Sequence, residues 1–134
     1  MVNVPIELVE AEARKDGLKH PLNITFKPTV VNWYHSGTHT LTIRSYNNQR
    51  RLAQILAHEI KHQIDLQDYP GWLVGLAYWP VIVVIGLLFG FTYGILVGIG
   101  AGLATYFFHP FEISANLYTL RKWRRYLEII ESSE

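Results

Sequence analysis

Between Asp68 and Glu112 the chain runs for 43 residues without an Asp, Glu, Lys or Arg. The 12 Lys plus Arg and 11 Asp plus Glu of the 134-residue sequence all lie in the two flanks. A soluble globule of this size has too little polar surface to wrap so long an apolar stretch. One membrane crossing takes roughly 20 residues for a hydrocarbon core of about 30 Å. Trp72 to Phe108, 37 residues, leaves about 17 for each of two spans joined by a tight turn. The expectation is a membrane-embedded helical hairpin over 72–108, and a mean hydropathy of +0.10 conceals it by averaging.

Within the insert, Gly86, Gly90, Gly94, Gly98 and Gly102 recur every fourth residue. Such a ridge lets helix backbones approach closely in lipid. It fits a hairpin turning at Gly90-Phe91-Thr92-Tyr93-Gly94, and equally one long helix that forms a homo-oligomer through its glycine face. Pro80 is expected to kink or end a helix in either case.

The flanks restrict the remaining possibilities. The length allows a single domain over 1–134. The absence of Cys excludes disulfide staples and thiolate metal sites. A formal net charge of +1 provides no electrostatic footprint for nucleic acid. Met1 to Gly17 is rich in acidic residues, unlike a signal peptide, and Asn3 to Lys19 suits an amphipathic helix. Asn3 is its expected cap, Pro5 its first turn, and Ile6, Val9 and Ala13 its apolar stripe. Leu22–Phe26, Val30–Tyr34 and Thr40–Ile43 alternate as strands around a turn near Gly37, predicting a small antiparallel sheet. Asn47 or Asn48 then caps a helix reaching about Asp68, striped by Leu52, Ile55, Leu56 and Ile60. A last helix follows Pro110 to about Ile130, striped by Leu117, Leu120, Leu127 and Ile130. Its Arg121-Lys122-Trp123-Arg124-Arg125 run suits anionic headgroups, and suits a solvated helix face almost as well.

Chemistry is carried by His58-Glu59-Ile60-Lys61-His62, an H-E-x-x-H on the predicted helix. Spacing of i, i+4 sets both imidazoles on one face, where they can share a Zn²⁺. Glu59 beside them can take the proton of an attacking water. Two His leave a catalytic zinc one ligand short, so a third must come from another element. Glu112 lies where the insert returns and is the only acid between Asp68 and Glu128. Asn116, four residues on, can accept the other N–H of a zinc-bound imidazole. A carboxylate in a first helical turn is also favoured by the helix dipole alone. Tyr118, Arg121, His35 and His39 are candidates for stabilising an oxyanion. His35 and His39 can be imagined as a second metal site, although exposed histidines flanking a turn are the simpler reading.

H-E-x-x-H, two apolar segments, then E-x-x-A-[DN] opening a helix resembles the gluzincin membrane metallopeptidases of the HtpX and CAAX prenyl protease type. The resemblance covers approximately Leu41 to Leu120. It implies zinc held by His58, His62 and Glu112, with Glu59 as general base, in a zincin-like α+β fold interrupted by a transmembrane hairpin. It also implies an edge strand before the active helix, here Thr40, Leu41, Thr42, Ile43 and Arg44 running on to Ser45, that binds substrate backbone by β-augmentation. Two departures stand out. Asn116 replaces the usual Asp and brings no charge, and the chain is much shorter than typical members.

The expected activity is that of a zinc-dependent endopeptidase acting on protein or peptide substrates and anchored in the lipid bilayer. His58 and Glu112 meet only if the insert crosses an even number of times or re-enters. Basic residues flank both its ends and none sits in the expected turn, which puts the site on the cytoplasmic side. The alternatives are a glycine-ridge pore or scaffold and a zinc-binding but inactive peptidase relative.

Overall fold

The computed structural model describes residues 2–28, 31–35 and 37–133; the expected strand residue Val30 and turn residue Ser36 lie outside them. In chain order the elements are α1 (Ile6–Lys15), β1 (Asn23–Lys27), β2 (Trp33–His35), β3 (Thr40–Arg44), α2 (Gln49–Leu66), α3 (Gly71–Tyr93), α4 (Ile95–Phe107) and α5 (Pro110–Glu131). The architecture is α+β, with a three-stranded sheet and five helices among the described residues.

The sheet is mixed, which corrects the antiparallel expectation. Its order is β1-β3-β2: β1 pairs parallel to β3, and β2 pairs antiparallel to it. β3 is therefore the central strand. Leu41, Thr42 and Ile43 are buried in succession, as suits a strand covered on both sides. Its backbone pairs with both neighbours, and even the Arg44 N–H beyond the end of β2 donates to Asn32 Oδ1 at 2.6 Å. The expectation that Thr40, Leu41, Thr42, Ile43 and Arg44 form a substrate-binding edge is thus overturned, because those hydrogen-bonding groups are occupied. The edges left are the outer sides of β1 and β2.

α1 begins one residue after Pro5, which takes the cap position in place of Asn3. It buries Val9, Glu12 and Ala13 and stops at Gly17, whose φ of +110° is easy only for glycine. α2 starts at Asn48, whose Oδ1 accepts the Arg51 N–H at 3.0 Å, an arrangement worth about 1 kcal/mol. Leu52, Ala53, Leu56, Ala57 and Ile60 line its inner face and join Val9, Leu41, Ile43, Tyr126 and Ile130 in one core. Full burial of each large member stabilises the fold by about 1.5–3 kcal/mol. Lys19 N–H and Gly17 O both meet the Gln67 side chain, at 2.8 Å each, tying the end of α1 to the end of α2.

The apolar insert is a hairpin of unequal arms. α3 has 23 residues and runs through Pro80 without ending; α4 has only 13. At 1.5 Å per residue they extend about 34 and 20 Å, so the expected equal division is corrected. α3 is long and apolar enough to cross a membrane. The turn narrows to Gly94, at φ +101°, while the return arm stops early because His109 precedes Pro110 and adopts an extended backbone. The glycine ridge faces inward between the arms. A Cβ added at Gly98 would stand 2.5 Å from Gly86 O and 2.7 Å from the Gly90 Cα, so the backbones touch there directly.

The expected stripe of α5 holds only in its second half, where Ile130 is buried and Leu127 packs against the core. On α5 the buried positions are Glu112, Ala115, Tyr126, Ile129 and Ile130, whereas Leu117 and Leu120 are exposed.

Candidate metal centre

α2 and α5 run antiparallel and pack along their lengths. Ser114 near the start of α5 donates to Asp65 near the end of α2 at 2.8 Å. At the other end the Arg50 guanidinium lies 5.0 Å from the Trp123 ring centroid. This pairing lays the His58–His62 face of α2 against the first turn of α5, where Glu112 sits.

The first turn of α5 is fixed by His109. Its Nδ1 accepts the Phe111 N–H at 3.3 Å, capping the helix, and its Nε2 donates to the Ala77 carbonyl of α3 at 3.1 Å. Its ring stacks on Tyr78 with centroids 4.0 Å apart. The hairpin therefore does more than return the chain: contact between its two ends orients the helix that carries Glu112.

Three ligand atoms converge. His58 Nε2 and His62 Nε2 are 3.0 Å apart, and Glu112 approaches them with Oε2 at 3.3 Å and Oε1 at 3.1 Å respectively. Ligands in tetrahedral coordination at the zinc–nitrogen distance of about 2.0–2.1 Å are separated by about 3.3 Å. The triangle is slightly tighter than that, and an ion between the three atoms would open it by a few tenths of an ångström. Protons alone serve it poorly. If both Nε2 atoms carry hydrogens to donate to Glu112, the contact between the two imidazoles sets donor against donor. A cation at the centre satisfies all three lone pairs, so His58, His62 and Glu112 form a group that could hold a metal ion.

Charges reinforce one another here. Burial pushes the Glu112 carboxyl up, but His58 and His62 outweigh it and hold it down at about 2. Burial pulls His58 down, yet Glu112, Glu59 and the Asn116 amide raise it overall. Asn116, which the E-x-x-A-N motif puts forward, is thus near enough to act on His58. Glu59 is buried beside the cluster. Desolvation raises its pKa, the two imidazoles pull it back, and the Glu112 charge pushes it up again. His62 Nδ1 is buried with no hydrogen-bond partner among the described residues, so nothing there fixes its tautomer.

The residues considered for an oxyanion do not reach this centre. Tyr118 donates to Asp16 at 2.8 Å and meets the Tyr126 hydroxyl at 2.9 Å. Arg121 lines a separate cavity with Lys61 and Lys122. His39 stacks on His20 at 3.9 Å, and His35 Nδ1 accepts the Thr38 N–H at 3.3 Å, so each is engaged at the β2–β3 turn. Three residues near the site escaped the sequence reading: His109, whose capping role is described above, Tyr78 and Tyr106. Tyr78 and Tyr106 both stand in the field of the Glu112 charge, and Tyr106 also in that of Glu59. Their signal was present, since each places a hydroxyl near one end of an otherwise apolar insert.

Comparison with family models, with curated proteins and with solved structures found no match to this chain.

Proposed function

We propose that this protein is a zinc-dependent endopeptidase anchored in a membrane by the α3–α4 hairpin. The observation that carries the reading is the convergence of His58, His62 and Glu112 at 3.0–3.3 Å beside a buried Glu59. Zinc, when bound by these three residues, supplies a Lewis acid that polarises a scissile carbonyl and acidifies water. Glu59 takes the proton from the attacking water and returns it to the leaving amine. Asn116 orients His58, and Tyr78 orients Glu112. Peptide substrate has the outer edges of β1 and β2 available for backbone pairing. Arg50, Arg51, Lys61 and the Arg121–Arg125 run lie on the metal-site side of the hairpin, and no basic residue lies at its tip. That asymmetry supports a cytoplasmic site.

A second reading, a zinc-binding but inactive relative, draws on the uncharged Asn116 and the unpartnered His62 Nδ1. A glycine-ridge pore or homo-oligomer needs free glycine faces, and Gly86, Gly90, Gly98 and Gly102 are engaged within one chain. The deciding experiment is zinc stoichiometry of the purified protein and of His62→Ala and Glu112→Ala, paired with cleavage of a broad peptide library. Near-stoichiometric zinc lost in both variants, together with cleavage, is the expected result. Zinc unaffected by either variant sinks the proposal, and zinc without cleavage favours the inactive relative.

A further inference from the structure

Helix α5 has a second surface that the metal centre does not use. Ile113, Leu117 and Leu120, spaced i, i+4, i+7, share its outer side and are 42, 49 and 73 % exposed. Further along the same side come Arg121 and Arg124, then Glu128 and Glu131, all exposed. The surface thus passes from apolar to cationic to acidic along one axis, and α5 itself is separated from the hairpin only by Phe108 and His109.

Arg121 and Arg124 form no ion pair among the described residues, because the nearby acids are engaged elsewhere. Lys122 holds Asp16 at 3.0 Å and Glu12 at 3.5 Å, and Arg125 holds Glu128 at 2.9 Å. Arg121 also shares with Lys61 and Lys122 the wall of a cavity that adjoins Leu117 and Ser114. Asp16 in that wall is already paired with Lys122, and Lys61 holds Asp65 at 2.6 Å, so the uncompensated positive charge of the cavity is that of Arg121.

We propose that this face is embedded in the surface of an anionic bilayer, with Ile113, Leu117 and Leu120 among acyl chains and Arg121 and Arg124 against lipid phosphates. The order of residues repeats the order of layers met on leaving a membrane: hydrocarbon, phosphate, water. A protein partner, or a second copy, would not require that gradient. Continuity with the apolar hairpin argues the same way, because α5 starts where the hairpin ends. The proposal rests on the hairpin being the membrane anchor, and it is independent of zinc or peptidase activity. Its consequence is positional: Glu112, adjacent to Ile113, is held at the level of the membrane surface, and the metal centre with it.

The chain contains no Cys, so single nitroxide labels can be attached to the full protein through Leu117→Cys, Leu120→Cys, Leu88→Cys on α3 and Glu128→Cys. Each is reconstituted into vesicles of phosphatidylcholine and phosphatidylglycerol, and label collisions with oxygen and with a water-soluble nickel complex are compared. The labels at 117 and 120 are expected to favour oxygen several-fold, as at 88, while the label at 128 favours nickel. Arg121→Gln with Arg124→Gln should shift the label at 120 towards the nickel-accessible side. Nickel-dominated collisions at 117 and 120 with a lipid-like 88 overturn the proposal and leave the anchor standing. Aqueous behaviour at all four positions removes both. Dipolar broadening between copies at 117 or 120 identifies a second chain on this face and also overturns it.

Discussion

His62 Nε2 stands 3.1 Å from Glu112 Oε1, although the entire apolar hairpin separates the two residues along the chain. The contact depends on antiparallel packing of α2 on α5 and on the His109 link from α5 back to α3. Both supports lie outside the three ligands, so ligand geometry and proton chemistry can be disturbed separately.

Glu59→Gln separates them most directly. The amide occupies the same volume but cannot accept a proton from water, and Glu59 is not among the three converging residues. Zinc content should stay at the wild-type level while peptide cleavage falls by about 10²–10⁴-fold, measured by elemental analysis and by a fluorogenic peptide assay on the same sample.

Asn116 acts through His58. Replacing it with Ala removes the amide that helps to raise that imidazole and should weaken zinc binding by about 10–100-fold. Asn116→Asp should tighten it, because a carboxylate makes the ligand more basic. Competitive chelator titrations report both signs, and equal weakening in the two variants would contradict the orienting role.

Tyr78→Phe removes a hydroxyl that stands in the field of Glu112 and keeps the ring that stacks on His109. The zinc-free protein should melt as the wild type does, while zinc affinity drops by about 10-fold. Melting curves with and without chelator distinguish this from a loss of packing.

Gly98 and Gly100 lie on the same helix and should respond oppositely. A Cβ at Gly98 meets Gly86 and Gly90 backbone atoms at 2.5–2.9 Å, whereas one at Gly100 meets nothing within 4 Å. Gly98→Ala should destabilise the hairpin by about 1–3 kcal/mol, and Gly100→Ala should be neutral or slightly stabilising. Unfolding in detergent micelles measures the difference.

Glu12 on α1 should make stability fall in acid. Glu12 is held below its ordinary value of 4.5 chiefly by Lys15, against the upward push of burial, with Lys122 and Arg125 adding to the lowering. A carboxyl whose folded pKa is depressed binds fewer protons folded than unfolded. Its contribution is full above pH 4.5 and is lost as pH falls through the lower folded value. Glu12→Gln should therefore differ most from wild type near neutrality and converge with it in acid, in melts scanned from neutral pH downwards.

Local features were legible in the sequence. The helix cap expected at Asn47 or Asn48, which Asn48 supplies, and the i, i+4 histidines depend on neighbours only a few residues away. Strand order was not, because pairing is decided at a distance: Thr40–Arg44 alternates in the same way whether it is central or at an edge. The first half of the α5 stripe was misread for a different reason. That helix has two apolar sides, and Leu117 and Leu120 match helical periodicity as well as the truly buried Ala115, Tyr126 and Ile129. Periodicity identifies a face without saying what covers it.

The position of the hairpin also has a meaning in time. Synthesis delivers His58 and His62 first and Glu112 only after the chain has reversed at Gly94. A polypeptide that failed to reverse would be left with two imidazoles and no carboxylate. The complete cluster of His58, His62 and Glu112 therefore exists only in chains whose hairpin has closed.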